Sequence, residues 1–260
     1  MPSLKEIRTR IKSVTATRQI TSAMKMVAAA RLRKAQDAIL QLRPYAVKMQ
    51  DILSNIAGNL ETSGENVFAE ARDPLRILVI LITSNRGLSG AFNANAVKMV
   101  RNLIHEDFQS QMKEDRVEIL CIGKKGYDLL RSKKYPVSGP NSELIDKPLF
   151  VNAAGLADKL MQQFADREYD RIFLVYNQFK NAAVQIPTAE QFLPVSIKET
   201  EQESDLNADY IFEPSREDMV GILVPRTLRI QLYKALTDSY AAEQGARMTA
   251  MHQATDNATE

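Results

Sequence analysis

The sequence lacks several features on which common kinds of protein depend. Its 260 residues include one cysteine, Cys121, which excludes an internal disulfide and a cysteine-rich zinc site. The two histidines, His105 and His252, fall on separate helical stretches, so we predict no metal site. We also predict no cofactor. No apolar run approaches the roughly 18 residues of a membrane span, so we expect no direct membrane insertion. The stretch MPSLKEIRTR also lacks the apolar core of a signal peptide.

Motifs that mark nucleotide-binding or hydrolytic enzymes are also missing. The stretch SNRGLSGAFN (84–93) contains glycines that could expose backbone N–H groups to a phosphate, but no Gly-Lys-Ser/Thr follows. We interpret it as a tight strand-to-helix turn in which Gly87 and Gly90 relieve crowding, and GKKG (123–126) as a similar turn. Neither a Ser-His-Asp group nor a paired-carboxylate motif can be assembled, so nothing in the sequence itself supports a catalytic site.

Charge is distributed unevenly along the chain. The net charge is +2, yet residues 1–60 hold eleven Lys/Arg against three Asp/Glu, a local net charge of +8. Residues 199–218 hold eight Asp/Glu against one Arg, a local net charge of −7. Such asymmetry indicates a partner surface. We do not predict nucleic-acid binding, because tryptophan is absent and Tyr45 is the only aromatic residue of the N-terminal stretch.

The first 60 residues predict one long helix with a coiled-coil seam. It begins at a capping box in SLKE (3–6), and we expect Pro44 to kink it and Gly58 to end it. Polar residues occupy the seam only between positions 18 and 25. The seam keeps one heptad register throughout, with Leu4, Ile7, Ile11, Val14, Arg18, Thr21, Lys25, Ala28, Leu32, Ala35, Ile39, Leu42, Ala46, Met49, Leu53, Ile56 and Leu60.

A second long helix is predicted at the C-terminal end. It starts near Ser215 and carries Leu228, Leu232, Leu236 and Tyr240, after which an alanine recurs every fourth residue from 242 to 258. A stripe of small residues lets a partner helix approach closely. We therefore predict that the two terminal helices pair in antiparallel orientation as a stiff two-stranded shaft.

The middle of the chain has the alternating pattern of an α/β domain. LRILVILITS (75–84), RVEILCIGKKG (116–126) and DRIFLVYNQF (170–179) are continuously apolar, as in strands covered on both faces. Helical patterns near 92–112 and 152–166 separate them, which predicts a parallel, Rossmann-like sheet. AAVQIP and AEQFLPVSI, each with a proline, predict further edge strands. The predicted organisation is a shaft of residues 1–60 and 214–260, an α/β domain at 70–200 and an acidic connector at 199–213.

Four segments resemble the gamma-subunit family of F-type ATP synthases. RQITSAMKMVAAARLRKAQ (18–36) is similar to the family's N-terminal helix, and AAEQGARMTAMHQATDNA (241–258) to its C-terminal helix. SNRGLSGAFN (84–93) and DYIFEP (209–214) are supporting matches. The resemblance implies a non-catalytic rotor shaft inside a hexamer of alpha and beta subunits, with the α/β domain outside, near the epsilon subunit and the membrane ring of c subunits.

The resemblance also implies which residues meet partner subunits. Part of the N-terminal helix would contact a loop of the beta subunit, and part of the C-terminal helix lies at the same level. We expect these residues to form one contact patch: Ile20, Thr21, Ala23, Met24, Lys25, Glu243, Gln244 and Arg247. The turn after the first strand is a second candidate for partner contact, through Arg86, Gly87, Ser89 and Gly90.

The family resemblance implies a location and a role. Such a subunit works at the cytoplasmic face of the bacterial inner membrane, in a peripheral complex that couples ion flow through the c-ring to ATP synthesis. The family's C-terminal helix normally continues beyond ATDNA, which implies a further tip held by the hexamer. The paired cysteines of the chloroplast version are absent. Two other functions stay open: a non-rotary coiled-coil adaptor or scaffold, and a nucleotide-dependent enzyme that uses the GLSG turn.

Overall fold

The computed structural model describes residues 3–57, 67–70, 72–195 and 216–259. The strands found there are β1 (Ile77–Ile82), β2 (Val117–Ile122), β3 (Val137–Ser138), β4 (Arg171–Phe179) and β5 (Gln185–Leu193). The helices are α1 (Leu4–Ala57), α2 (Phe92–Asp107), α3 (Gln109–Lys113), α4 (Lys124–Ser132), α5 (Glu143–Asp146), α6 (Phe150–Ala165) and α7 (Arg216–Asn257).

Several predicted features lie outside the described residues. They are the acidic connector at 199–213, the DYIFEP segment, the helix start at Ser215, the helix end at Gly58 and the seam residue Leu60. The backbone of seam positions 53 and 56 belongs to α1, but their side chains are also outside the description. The boundaries of the shaft and of the α/β domain therefore stay predictions.

The five strands form one sheet in the order β3-β2-β1-β4-β5. β1 is parallel to β2 and to β4, and β3 is parallel to β2, whereas β5 is antiparallel to β4. This order places a change of winding direction between β1 and β4, as in doubly wound folds. The predicted α/β fold with a mostly parallel sheet is confirmed.

The strand β5 includes residues from both proline-containing stretches. AAVQIP and AEQFLPVSI supply one continuous edge strand instead of two separate ones, and Pro187 lies opposite Asn177 of β4. Proline has no N–H to donate to a neighbouring strand, so an edge position suits it. The prediction of edge pairing is confirmed, with one strand fewer than the two stretches suggested.

Both faces of the sheet are covered, and alternate residues of β1 show how. Val79 and Leu81 pack with Val97 and Val100 of α2. The alternate residues Leu78, Ile80 and Ile82 point to the other face, where they pack with α6 and α7. All six residues of β1 are buried, and burial of each large side chain contributes about 1.5–3 kcal/mol. Continuous burial explains why this strand lacks the alternation of a half-exposed strand.

The two long helices pack against each other in antiparallel orientation. Near one end, Thr21 of α1 is hydrogen-bonded to Thr255 of α7. In the middle, Leu32 of α1 shares a cluster with Ala242 of α7. Towards the other end, Met49 of α1 lies in one core with the early part of α7, which includes Leu223, Val224 and Leu228. The predicted antiparallel coiled coil is confirmed.

The predicted seam is buried along only part of α1. Within the described residues, Leu4, Ile7, Ile11 and Val14 are 40–66% exposed. Thr21 lies opposite Thr255, close to the end of α7 at Asn257. From there towards the C-terminal end of α1, the seam residues Ala28, Leu32, Ala35, Ile39 and Met49 are buried.

The helix α7 also belongs to the core of the sheet. Its residues Leu228, Leu232 and Leu236 share a cluster with Phe164 of α6 and Tyr176 of β4. Between positions 235 and 246 every α7 residue is buried except Tyr240, which is half-buried. The shaft and the sheet are therefore packed together. In the described ranges, no helix combines the length and apolarity needed to cross a membrane.

Candidate functional site

Arg247 connects the shaft to the turn that follows β1. Its Nη1 donates to Oε1 of Glu243 at 2.6 Å, and its Nη2 donates to the carbonyl oxygens of Arg86 and Gly87, both at 3.3 Å. The side chains of Arg247 and Glu243 are only 11% and 9% exposed. One planar guanidinium can make all these contacts because its donors diverge in a fork. The turn and α7 are thereby fixed to each other.

The pair controls the charge state of Glu243. Burial raises the pKa of the Glu243 carboxyl, while the charge and hydrogen bond of Arg247 act in the opposite direction. Removing the arginine would leave a buried carboxylate without its main partner, which is strongly destabilising for a carboxylate that stays ionised. Arg247 therefore compensates for the burial of Glu243 as well as binding the turn.

A buried amide organises the turn itself. Asn93, at the start of α2, accepts from the backbone N–H of Ser84 at 3.0 Å and donates to Oγ of Ser84 at 2.8 Å and of Ser89 at 3.3 Å. Oγ of Ser84 donates to the carbonyl oxygen of Arg86 at 2.6 Å. Since Ser84, Ser89 and Asn93 are buried, this network holds the turn in one shape.

The glycines of this turn do not relieve crowding. A Cβ on Gly87 would make an ordinary contact, 3.7 Å from Lys125 Cε, and a Cβ on Gly90 would meet nothing within 4 Å. Gly90 instead supplies a left-handed backbone, with φ of 56°. Leu88 adopts the same region with φ of 63° although it is not glycine, and its side chain is 63% exposed. The crowding explanation from the sequence is therefore wrong.

Three of the four N–H groups of the GKKG turn after β2 are engaged within the protein and are not free for a phosphate. The N–H groups of Lys124, Lys125 and Gly126 donate to Asn85 Oδ1, the Ser84 carbonyl and Thr83 Oγ1 at 2.9–3.1 Å. A Cβ on Gly123, where φ is 102°, would overlap the carbonyl oxygen of Thr83. The glycines at 123 and 126 allow this close approach, so the turn is structural.

The shaft occupies the place where doubly wound sheets commonly bind ligands. That place is the crevice at the carboxyl ends of the strands where the winding direction changes. Here Phe92 and Phe179, which follow β1 and end β4, pack with Leu32 of α1 and Ala242 of α7. Oγ1 of Thr249 also lies 3.2 Å from the carbonyl oxygen of Ala182, just after β4. This packing counts against a nucleotide-dependent enzyme built on the GLSG turn.

The predicted contact residues of α1 divide between surface and interior. Ile20 is 61% exposed and Ala23 is exposed, while Met24 and Lys25 are half-buried. Thr21 is only 8% exposed because it belongs to the seam. The α1 residues therefore form an exposed surface, with Thr21 behind it.

The predicted contact residues of α7 are mostly interior. Glu243 and Gln244 are buried, and the side chain of Arg247 is only 11% exposed. Counting from the Thr21–Thr255 pair at 1.5 Å per residue, Met24 and Arg247 lie within about 8 Å of each other along the shaft. The two helices thus bring Met24 and Arg247 to nearby levels, whereas Glu243 and Gln244 lie about 12–14 Å from Met24 along the shaft and are enclosed by the protein's own side chains.

The sequence analysis missed several residues that hold together the turns after β1 and β2. Thr83, Ser84 and Asn85 follow β1 directly, and all three bind the turns around them. Their signal was available, since three consecutive polar residues come straight after a six-residue apolar strand. Asn93 gave no such signal, because its partners lie across a turn whose shape the sequence does not reveal.

Comparisons with known proteins identify the family. Residues 3–260 match the family model described as ATP synthase. The ATP synthase gamma chain of Flavobacterium johnsoniae is 51% identical over 260 residues, which is all of this chain and 88% of that relative. The gamma chain of Chlorobaculum parvum is 40% identical, with all of this chain and 89% of the relative covered. This chain belongs to the ATP synthase gamma-chain family.

Solved structures agree with this family. A chain from the central stalk and c-ring of the Tetrahymena thermophila mitochondrial ATP synthase matches with a TM-score of 0.63 and 26% identity, covering 93% of this gamma chain and 100% of that chain. A rotor chain of the Euglena gracilis mitochondrial enzyme matches in fold, with a TM-score of 0.61, 18% identity, and coverage of 97% and 90%. This gamma chain is a non-catalytic rotor subunit in the central stalk of an F-type ATP synthase.

Proposed function

We propose that this gamma chain couples proton flow through the c-ring to conformational cycling of catalytic beta subunits in ATP synthesis. Alpha and beta subunits would surround the shaft of residues 1–60 and 214–260. The α/β domain at 70–200 would stay outside, near the epsilon subunit and the c-ring, with residues 199–213 as an acidic connector. The assembly would lie at the cytoplasmic face of the bacterial inner membrane.

The packing of α7 supports a role in carrying torque. A shaft must resist bending and twisting, and the 54 residues of α1 would extend over about 80 Å. Ala28, Leu32, Ala35 and Ile39 of α1 are at most 5% exposed, so this part of the seam is closely packed. Because α7 also packs against the sheet in one hydrophobic core, a torque on the α/β domain would be transmitted directly to the shaft and would not depend on a flexible linker.

The proposed contact with a beta subunit lies beside the polar interruption of the seam, which is the observation that carries the proposal. Met24 and its neighbours Ile20, Ala23 and Lys25 form the outer surface. Thr21 lies behind that surface, and Glu243 and Gln244 are buried further along α7. Arg247 binds the turn that carries Arg86, Gly87, Ser89 and Gly90.

A small contact surface of mixed polarity, with Lys25 beside Ile20, Ala23 and Met24, suits a rotor because it has to release its partner. Each 1.4 kcal/mol of preference for one orientation is a tenfold bias in population, so an extensive apolar contact would hold one orientation too firmly. Charge-assisted contacts can be strong and yet exchange for water when the surfaces part. Rotation of the asymmetric shaft would then shift each catalytic site among its states through differential contact free energy.

The substitution Met24→Lys tests this contact in the reconstituted complex. A new cation beside the carboxylates of a beta-subunit loop should favour one orientation of the shaft. We expect ATP-driven proton pumping to fall several-fold while ATP hydrolysis continues. The control is Val47→Lys, which adds the same charge at a 59% exposed apolar position on the same helix. An unchanged ratio of pumping to hydrolysis in the Met24→Lys complex would refute the contact.

A further inference from the structure

A basic pocket lies on the face of the sheet that α2 and α4 cover. Its volume is about 280 Å³. Three apolar or aromatic side chains, Ile104, Met112 and Tyr135, form part of its lining. The other lining residues include five basic ones: Arg101, His105, Lys113, Lys133 and Lys134.

The ends of three helices bring the basic residues together. Arg101 and His105 lie in the last two turns of α2, Lys113 ends α3, and Lys133 and Lys134 follow α4 directly. Cations near the C-terminus of a helix are stabilised by the partial negative charge of its free carbonyl groups. This effect accounts for basic residues at each helix end, but it does not require all of them to surround one concavity.

The charges of this pocket are not neutralised within the described part of the chain. There, none of the five basic side chains forms an ion pair, and no Asp or Glu lines the pocket. The nearby Glu114 is paired with Arg116 instead, at 3.2 Å. Arg101, Lys113, Lys133 and Lys134 therefore place four formal positive charges around one concave surface. An anion bound there would reduce their mutual repulsion.

We propose that this pocket binds a small ligand that carries at least two phosphate charges. Lysine ammonium groups bind phosphate oxygens as point charges, and an arginine adds a planar fork of donors. The volume lies near the lower limit of about 300 Å³ for small-molecule sites, which suits a compact ligand. Ile104, Met112 and Tyr135 would pack against its less polar part. Binding here is independent of the proposed contact with beta subunits.

Two matched glycine substitutions test the pocket. Lys134 and Arg167 both follow helices in the left-handed region, with φ of 61° and 62°. Glycine accepts this conformation, so each substitution removes one positive charge without backbone strain. Arg167 is the control because it follows α6 and does not line the pocket. The measurement is calorimetric titration of the full chain with inorganic pyrophosphate at about 0.15 M salt, where charges farther than about 8 Å are screened.

The expected results separate a site from general attraction to a basic protein. Pyrophosphate should bind at one saturable site, and Lys134→Gly should weaken it by about tenfold, the effect of one charge-assisted hydrogen bond. Arg167→Gly should change the affinity less than about twofold, since surface charges beyond a Debye length are screened. Equal losses in both variants would overturn the proposal.

A second titration distinguishes the source of the phosphate. Cardiolipin vesicles present two phosphates in one lipid headgroup, whereas pyrophosphate is a free ligand. Binding of pyrophosphate that depends on Lys134 indicates a free phosphate compound, and Lys134-dependent binding of vesicles alone indicates a headgroup. The double variant Lys133→Gln/Lys134→Gln should lower binding further than the single variant. Absence of saturable binding in both titrations would overturn the proposal.

Discussion

The side-chain oxygens of Thr21 and Thr255 lie 2.7 Å apart across the two long helices. Thr255 Oγ1 also lies 2.7 Å from the carbonyl oxygen of Met251, and Thr21 Oγ1 lies 3.1 Å from that of Arg18. This polar pair sits at the end of a closely packed seam. Because a shift of one helix along the other would separate the hydroxyl groups, the pair helps to specify the register.

A double-mutant cycle on Thr21 and Thr255 measures this contribution. Either single substitution to valine removes one partner, and we expect each to lower the free energy of unfolding by about 1 kcal/mol. The double variant should lose less than the sum of the two, with a coupling energy of about 0.5–1 kcal/mol. Urea unfolding of the full chain is the measurement. Strictly additive losses would show that the hydroxyl groups do not interact.

The buried carboxyl of Asp238 makes stability depend on pH. Asp238 is 1% exposed, and its Oδ1 has no hydrogen-bond partner among the described residues. Burial raises its pKa from 3.8 to about 6, and Glu190 of β5 adds to the increase, whereas Lys234 and Arg43 of α1 oppose it. The folded chain therefore holds this proton more tightly than the unfolded chain does.

Asp238→Asn should remove that dependence. The stabilising effect of the protonated carboxyl is complete below pH 3.8 and is lost as the pH rises through about 6. At 1.36 kcal/mol per unit of pKa, the loss amounts to about 3 kcal/mol. The variant should therefore gain stability relative to the natural chain by about this amount between pH 4 and pH 7.

Urea unfolding at several pH values checks the Asp238 prediction. Asp37→Asn is the control, since it removes the same charge from an exposed position on α1. A difference between the Asp238→Asn variant and the natural chain that stays constant from pH 4 to pH 7 would contradict an ionisable carboxyl buried at this place.

Substitution of two glycines by alanine should have opposite effects. Gly123→Ala forces a Cβ into the Thr83 carbonyl at a residue with φ of 102°, and we expect a loss of about 2–5 kcal/mol. Gly155→Ala places a methyl group in open space inside α6 and should stabilise the chain by about 0.5–1 kcal/mol. Both changes restrict the unfolded chain equally, so their difference reports on the folded state.

Thermal unfolding of both glycine variants gives the comparison directly. The midpoint temperature should fall for Gly123→Ala and rise for Gly155→Ala. If Gly123→Ala were as stable as the natural chain, the close approach of the GKKG turn to Thr83 would not exist in solution.

The sequence predicted most of the fold because its signals are local. The heptad register of α1 appears within the chain itself, and so do the apolar runs of β1, β2 and β4 and the proline of β5. The family resemblance supplied the residues around Met24 and Arg247 as candidates for a partner contact. Those residues are assigned to a contact with beta subunits only by resemblance, and the contact stays a prediction.

The sequence by itself determined which segments become long helices and buried strands, since periodicity and apolar runs depend on neighbouring residues in the chain. Only the tertiary structure determined which faces of these helices and strands are buried against other parts of the chain. It enclosed Glu243 and Gln244, and it buried Asp238 of α7 near Arg43 of α1 and Glu190 of β5. The physical reason is that burial depends on contacts between residues far apart in sequence, and a pattern within one helix does not specify what packs against it.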